Sequence, residues 1–315
     1  MTIKPTPTRD GFGEALAAIG KDNPNIVVVS ADLEDATRAE YFKKACPERF
    51  FTLGIAEQDM IGMAAGFASE GYTAVTNSFA VFLTNRAYDQ IRMDVCYNNL
   101  NVKLVATHAG ITVGEDGASA QCLEDIAIMR VLPNMKVVCP ADTIEAKKVA
   151  AAILAEKGAF YIRLSRAPLP VITDDATPFT LGKANVLRAG KDATIIAYGV
   201  MVAEALGAAD ILAQENISVR VINMHTIKPL DVDAILQAAR ETGAIVTAEE
   251  HQLAGGLGSA VAEVLVRNTP VPVEMVGIHD TFGQSGTPDQ LMAFYKLKAV
   301  DVAAAVKKVL QRKKG

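Results

Sequence analysis

Short runs of aliphatic and β-branched residues recur along this chain, separated by stretches with helical spacing, and that alternation restricts the fold more than any other feature. Ile26-Val27-Val28-Val29, Val102-Lys103-Leu104-Val105-Ala106 and Lys136-Val137-Val138-Cys139 read as buried strands. Thr73-Ala74-Val75-Thr76 and Ala159-Phe160-Tyr161-Ile162 read as shorter ones. Helical patterns fill the gaps at Gly11–Ile19, Gln58–Ser69, Asn85–Tyr97 and Thr143–Lys157. A strand that is apolar throughout has no solvent face, and intervening helices supply its cover, so the pattern predicts a parallel sheet buried on both sides. The rhythm lapses between Pro168 and Lys183, a stretch holding Pro168, Pro170, Pro178, Asp174-Asp175 and Gly182. Proline removes a backbone donor and fixes φ, so this stretch reads as a linker. Alternation then resumes with strands at Ala193–Ala197, Val219–Ile222, Ala244–Thr247 and Val273–Val276. Helices follow near Val202–Glu215, Val232–Glu241, Gly258–Arg267 and Val300–Gln311. The expectation is an α/β chain of two domains, each a mostly parallel sheet flanked by helices: residues 1–168, a linker at 169–183, and residues 184–315.

The 315 residues, half of them apolar, suit two domains of about 150 residues each. A net charge of −5 gives no electrostatic reason to expect nucleic acid or an anionic membrane as partner. No apolar stretch follows Lys4, so a secretory signal is not expected. The longest largely apolar run, Ala193 to Ala203, is short of the ~20 residues that span a bilayer. Cys46, Cys96, Cys122 and Cys139 form no C-x-x-C pair, which suits a reducing compartment. A soluble cytoplasmic protein is the expectation. The glycine-rich cradles for dinucleotides and nucleoside triphosphates are missing, as are a metalloprotease helix and an acyl-transfer serine elbow. His108, His225, His251 and His279 show no metal-ligand spacing, and the last three read as structural or interfacial. Gly255-Gly256-Leu257-Gly258 opens a helix; it reads as a tight turn or as a nest for an anion.

Three segments of the first half sit where a strand hands over to a helix, the place where α/β sheets build sites. Gly54-Ile55-Ala56-Glu57-Gln58-Asp59 precedes a helix of small residues. Glu57 there suits the helix dipole. Phe79 and Phe82 are three positions apart and would share a helix face, as core or as a wall for a flat ring. Thr107-His108-Ala109-Gly110-Ile111-Thr112-Val113-Gly114-Glu115-Asp116-Gly117 turns from an apolar strand to a glycine-rich acidic loop within a few residues. Loops of that composition are more often sites than packing devices.

Taken together, Ala31-Asp32-Leu33, Gly54-Ile55-Ala56-Glu57, Phe79 with Phe82, Thr107-His108, Gly114-Glu115-Asp116-Gly117 and Leu164-Ser165-Arg166 resemble the C-terminal half of transketolase. The resemblance runs from Arg9 to the last helix. It implies the pyrimidine-binding and C-terminal domains of a thiamine diphosphate enzyme that transfers a two-carbon ketol unit from a ketose to an aldose phosphate. By that resemblance Glu57 bonds the cofactor's aminopyrimidine and promotes proton loss from its thiazolium, a role that needs a carboxyl held away from water. Phe79 and Phe82 match the pocket around the pyrimidine, and Asp32 an acid beside it. Arg9, His108 and Arg166 match residues that bind the sugar phosphate, His108 also taking part in catalysis; the arginine fork gives bidentate bonds to phosphate oxygens. Asp116 matches an acid that reads a substrate hydroxyl.

Two positions depart from that pattern. Ala120 stands where transketolases place a histidine that binds the donor, which opens the way to specialised ketose phosphates or sulfonated sugars. Asn85 stands where a third pocket aromatic is usual, with Tyr88 one turn on as a substitute. The chain is also about half the length of a complete family member, and it has no Gly-Asp-Gly with a trailing asparagine to hold magnesium and diphosphate. The resemblance therefore implies a split enzyme: no metal ligands here, an N-terminal partner subunit holding the diphosphate and Mg2+, and an α2β2 heterotetramer with sites between chains. The second domain carries no chemistry of its own on this reading and serves assembly. Competing readings are deoxyxylulose phosphate synthase-like chemistry, which shares Gly-Ile-Ala-Glu-Gln but uses pyruvate, a 2-oxo acid dehydrogenase β-type subunit, and a non-catalytic assembly subunit.

Overall fold

The structure, a computed structural model, describes residues 4–314. In chain order the strands are β1 (Ile26–Ser30), β2 (Phe50–Thr52), β3 (Thr73–Phe79), β4 (Val102–Thr107), β5 (Lys136–Val138), β6 (Phe160–Arg163), β7 (Asn185–Arg188), β8 (Ala193–Ala197), β9 (Val219–Asn223), β10 (Thr226–Lys228), β11 (Ile245–Gln252) and β12 (Val273–Ile278). They form a seven-stranded sheet in the order β10-β5-β6-β4-β3-β1-β2 and a five-stranded sheet in the order β12-β11-β8-β9-β7. Pairing is parallel throughout except for β10 on β5 and β7 on β9. The expected fold class, two mostly parallel sheets flanked by helices, is the one observed.

The period of two along β1 shows why Ile26 to Val29 are apolar without a break. Ile26 and Val28 join the cluster beneath the helices Thr8–Asp22 and Thr143–Ala155, with Phe12, Leu16, Val149 and Ile153. Val27 and Val29 join the opposite cluster, with Met60, Ile61 and Ala64 of the helix Glu57–Ser69. Successive side chains point to opposite faces, and here both faces are covered. Residues 164–184 hold neither helix nor strand. They are tied back by Asp142, whose carboxylate accepts the backbone N–H of Ile172 at 2.8 Å and of Thr173 at 2.6 Å. Among the described residues no helix is long and apolar enough to cross a membrane. Cys46, Cys96, Cys122 and Cys139 are buried free thiols.

Three differences from the sequence expectation have local causes. β2, β7 and β10 are three or four residues long and lie on sheet edges, so no apolar run announced them. The expected helix Asn85–Tyr97 is built largely of wider i→i+5 turns at Phe82–Arg86 and Ile91–Tyr97, with one α-helical turn at Tyr88–Gln90. Such turns cluster at functional sites. The glycine-rich turn at Gly255–Gly258 does bind an anion, but an internal one. Glu249 of β11 accepts the N–H of Leu257 and of Gly258 at 2.8 Å each, and a Cβ on Gly256 would lie 2.1 Å from the same carboxylate.

The two sheets meet over a buried polar cluster. Arg163 at the end of β6 donates from Nε to Asp125 at 2.8 Å and from Nη2 to the Glu250 carbonyl of β11 at 2.9 Å. Tyr161 also donates to Asp125, at 2.6 Å. Removing one partner of a buried pair leaves the other charge without compensation. Arg163→Met is therefore expected to cost about 3–5 kcal/mol of unfolding free energy in urea denaturation. A loss of the size typical for exposed pairs, about 1 kcal/mol or less, would mean that Asp125 finds another partner.

Candidate active site at the carboxyl ends of the first sheet

β1, β3, β4 and β6 are parallel, so their carboxyl ends open along one edge of the sheet. Asp32 follows β1, Phe79 ends β3, Thr107 ends β4 with His108 next, and Arg166 follows β6. Arg9 comes from the first turn of the helix Thr8–Asp22. That turn is fastened to the end of β6, where Ser165 N–H donates to Thr8 Oγ1 at 2.7 Å and Thr8 N–H donates to Ser165 Oγ at 3.1 Å.

Glu57 is the first residue of its helix and is only 4% exposed. Arg86 donates to its Oε1 at 3.0 Å, while the second carboxylate oxygen takes no hydrogen bond among the described residues. The Arg86 guanidinium also lies over the Phe82 ring, 4.1 Å from its centre. Phe79 and Phe82 were expected on one helix face. Phe79 instead ends β3, because the strand runs three residues past the expected Thr76, and Phe82 opens the next helical segment. Their rings still lie nearly parallel, 5.6 Å apart at 16°. Phe79 stacks in turn on the His108 imidazole, with centroids 3.7 Å apart. Arg86 thus links Glu57 to Phe82, and ring contacts continue through Phe79 to His108. Asp32 is exposed beside the end of β1, with a left-handed φ of 61°.

His108 is buried and has a φ of 56°, a region non-glycine residues rarely occupy. Arginine can only donate, so the 3.1 Å contact between Arg9 Nη1 and His108 Nε2 makes Nε2 the acceptor. Nδ1 then carries the proton and donates to Thr107 Oγ1 at 2.8 Å. Burial, followed by Arg9, Arg166 and Arg38, pushes the His108 pKa from 6.5 down to about 3. Arg9 is itself weakened as a cation by burial and then by Arg38, and its Nε is buried without a partner among the described residues. Asp10, 3.9 Å from that Nε, is already bonded to Arg38 at 2.6 Å. Positive charge is therefore in excess at this corner, which suits an anion with several oxygens. Arg38 was missed in the sequence, since a lone arginine near a helix end reads as a solvated charge.

The loop from His108 to Gly117 needs its glycines. Gly110, Gly114 and Gly117 have φ of 81°, 86° and 77°, where a Cβ would be strained. Arg166 donates to the Val113 carbonyl and lies 3.4 Å from Glu115 and 3.8 Å from Asp116. Asp116 is exposed at the mouth of the loop, and Ala120 is buried behind it. Asn85 points its amide at Glu124, 2.9 Å away. Away from the edge, His225 is buried against Phe179 with ring centroids 4.4 Å apart, and His251 is buried and bonded to the Gln252 carbonyl at 2.6 Å.

A depressed histidine pKa has a definite sign in stability. The contribution of His108 is whole above its ordinary 6.5 and is lost as the pH falls toward about 3, because the unfolded chain takes up the proton first. The His108 ring-proton shift is expected to stay flat between about pH 8 and 5 in NMR titration. Wild type should also lose urea stability more steeply than His108→Asn below about pH 6. A titration of that ring near 6.5 would contradict this environment.

The family description "Transketolase, pyrimidine binding domain" matches residues 4–171, and "Transketolase, C-terminal domain" matches residues 182–302. The chain is 43% identical to the 6-deoxy-6-sulfo-D-fructose transketolase subunit SqwH of a Clostridium species, over 97% of this chain and 95% of the relative. It is 38% identical to an apulose-4-phosphate transketolase subunit of Phocaeicola vulgatus, over 92% and 93% of the two chains. A solved structure named "Split gene transketolase, inactive beta4 tetramer" superposes with a TM-score of 0.92 at 48% identity, covering 98% of this chain and 99% of the other. By the two matched domain descriptions and by relatives that align with it over nearly its whole length, this chain belongs to the transketolase family.

Proposed function

We propose that this chain is the C-terminal subunit of a heteromeric, thiamine diphosphate-dependent transketolase, moving a two-carbon ketol unit from a ketose phosphate to an aldose phosphate. The observation that carries the reading is the chain of contacts from the buried Glu57 carboxylate through Arg86, Phe82 and Phe79 to His108 and Arg9. It joins a cradle for a flat nitrogen heterocycle to a corner for an anion.

The residues present fit the pyrimidine half of the cofactor. Glu57 offers one carboxylate oxygen not engaged by Arg86, and Phe79 with Phe82 supplies two nearly parallel rings, Phe82 already bearing Arg86 and Phe79 stacked on His108. Bound there, thiamine diphosphate supplies the nucleophilic carbon that carries the transferred fragment. The Glu57 oxygen left free by Arg86 would face a pyrimidine nitrogen, and burial would keep that bond free of competition from water. Asp32 lies at the neighbouring strand end. Neutral His108 holds Arg9 so that its remaining donors, with those of Arg166, face the phosphate. Asp116 takes a substrate hydroxyl.

The diphosphate and its Mg2+ are assigned to an N-terminal partner subunit in an α2β2 assembly in the cytoplasm. The lack of a Gly-Asp-Gly and trailing asparagine supports this, as does the inactive β4 assembly of the similar split-gene transketolase. Ala120 cannot bond a donor through its side chain. Relatives named for 6-deoxy-6-sulfo-D-fructose and apulose-4-phosphate favour a specialised donor here too.

The test is reconstitution with the N-terminal partner at saturating thiamine diphosphate and Mg2+, offering ketose phosphates, sulfonated ketoses and pyruvate as donors. Ketose consumption is expected only with both chains present, and Glu57→Ala is expected to lower kcat roughly a thousandfold, about 4 kcal/mol. Turnover by this chain alone, pyruvate as the one donor consumed, or full activity in Glu57→Ala would each overturn the reading.

A further inference from the structure

The second half of the chain reaches into the substrate loop. Glu250 lies on β11, in the five-stranded sheet, and is 2% exposed. Its Oε1 accepts the backbone N–H of Thr112 at 2.5 Å. Gly110 packs so closely that a Cβ there would sit 2.2 Å from the Glu250 carboxyl carbon. The other carboxylate oxygen is 3.8 Å from Arg163, which also binds the Glu250 carbonyl at 2.9 Å. Burying a carboxylate costs free energy and pushes the Glu250 pKa up; Arg163 and the Thr112 N–H oppose that shift.

The same loop is gripped from a second side. Gln121 Nε2 donates to the Gly114 carbonyl at 3.2 Å and to the Gln284 carbonyl at 2.9 Å. Ser285 closes on Gly117, where a Cβ would meet its Oγ at 2.6 Å. Between these grips lies the Val113 carbonyl, which accepts from Arg166. A peptide segment held at Thr112 by Glu250 therefore sets where Arg166 rests, and it places His108 and Asp116 at the two ends of the loop. Nothing in this network needs the second half to be an assembly device alone.

We propose that Glu250 is a positioning residue of the substrate site: through the Thr112 N–H, the second half of the chain holds the His108–Gly117 loop, and with it Arg166, in register for a phosphorylated sugar. The proposal rests on the transketolase reading for its substrate class, while the loop contact itself stands on geometry. It adds a role to the expectation that this half mainly supports assembly.

The experiment compares wild type, Glu250→Asp and Glu250→Gln, each reconstituted with the N-terminal partner. Aspartate keeps the charge for Arg163 but is one methylene too short to reach Thr112; glutamine keeps an acceptor at the right length. In Glu250→Asp, deuterium uptake across residues 111–116 should quicken at least about tenfold while the β1 peptide is unchanged. Its KM for the ketose phosphate should rise about tenfold with kcat within about threefold, and Glu250→Gln should return KM to within about threefold of wild type. Wild-type uptake in Glu250→Asp overturns the proposal. So does a fall in melting temperature with KM unmoved, the signature of a purely structural role. If the wild-type complex transfers no ketol unit, the transketolase reading fails, and the exchange arm still decides whether Glu250 holds the loop.

Discussion

Arg163 is the residue around which the two halves of this molecule are organised. It ends a central strand of the first sheet, is buried, and spreads its donors between Asp125 of the same half and the Glu250 carbonyl of the other. A buried guanidinium is tolerated only where its donors are met, so the position of β11 against the first sheet is tightly specified. That specification reaches the candidate site, because Glu250 also accepts from Thr112 in the His108–Gly117 loop. The buried polar cluster between the sheets and the loop at the sheet edge form one hydrogen-bonded network.

Electrostatics at the sheet edge are deliberately unbalanced. Asp10 is the one acid within ion-pair distance of Arg9 and Arg38 among the described residues, and the imidazole beside them is kept neutral by burial and by Arg9. A neutral His108 can accept from Arg9, which a protonated ring cannot, so that contact selects the tautomer with the proton on Nδ1. At the other end of these contacts, Glu57 sits at a helix start where the dipole favours a carboxylate. The bland reading of Glu57 and the functional one therefore describe the same placement. Arg86 adds a cation there that no spacing argument had singled out.

Much of the fold was legible because its cause is local. A strand buried on both faces is mostly apolar, and β1, β4 and β8 announce themselves that way despite the buried Ser30, Lys103, Thr107 and Thr194. β2, β7 and β10 escaped because edge strands of three or four residues need no such run. β10 is the instructive case: residues 226–228 leave the second half and close the edge of the first sheet, a crossing with no signature in composition. The candidate site was legible through family motifs rather than through periodicity. Phe79 was assigned to the wrong element, yet its partner was right, since a strand end and the following turn bring the two rings together as a helix face would have.

What the sequence alone determined here is the class of fold, two mostly parallel sheets under helices, and the family, because apolar period and short motifs are properties of neighbouring residues. Only the tertiary structure decided who bonds whom across the chain. The partner of the Gly255–Gly258 turn is the Glu249 carboxyl, the third arginine beside His108 is Arg38, and the carboxyl against the His108–Gly117 loop is Glu250, 138 positions from Thr112. A hydrogen bond depends on two groups meeting at a distance of about 3 Å with the right orientation. No spacing along a strand or helix encodes that meeting when the partners belong to different sheets.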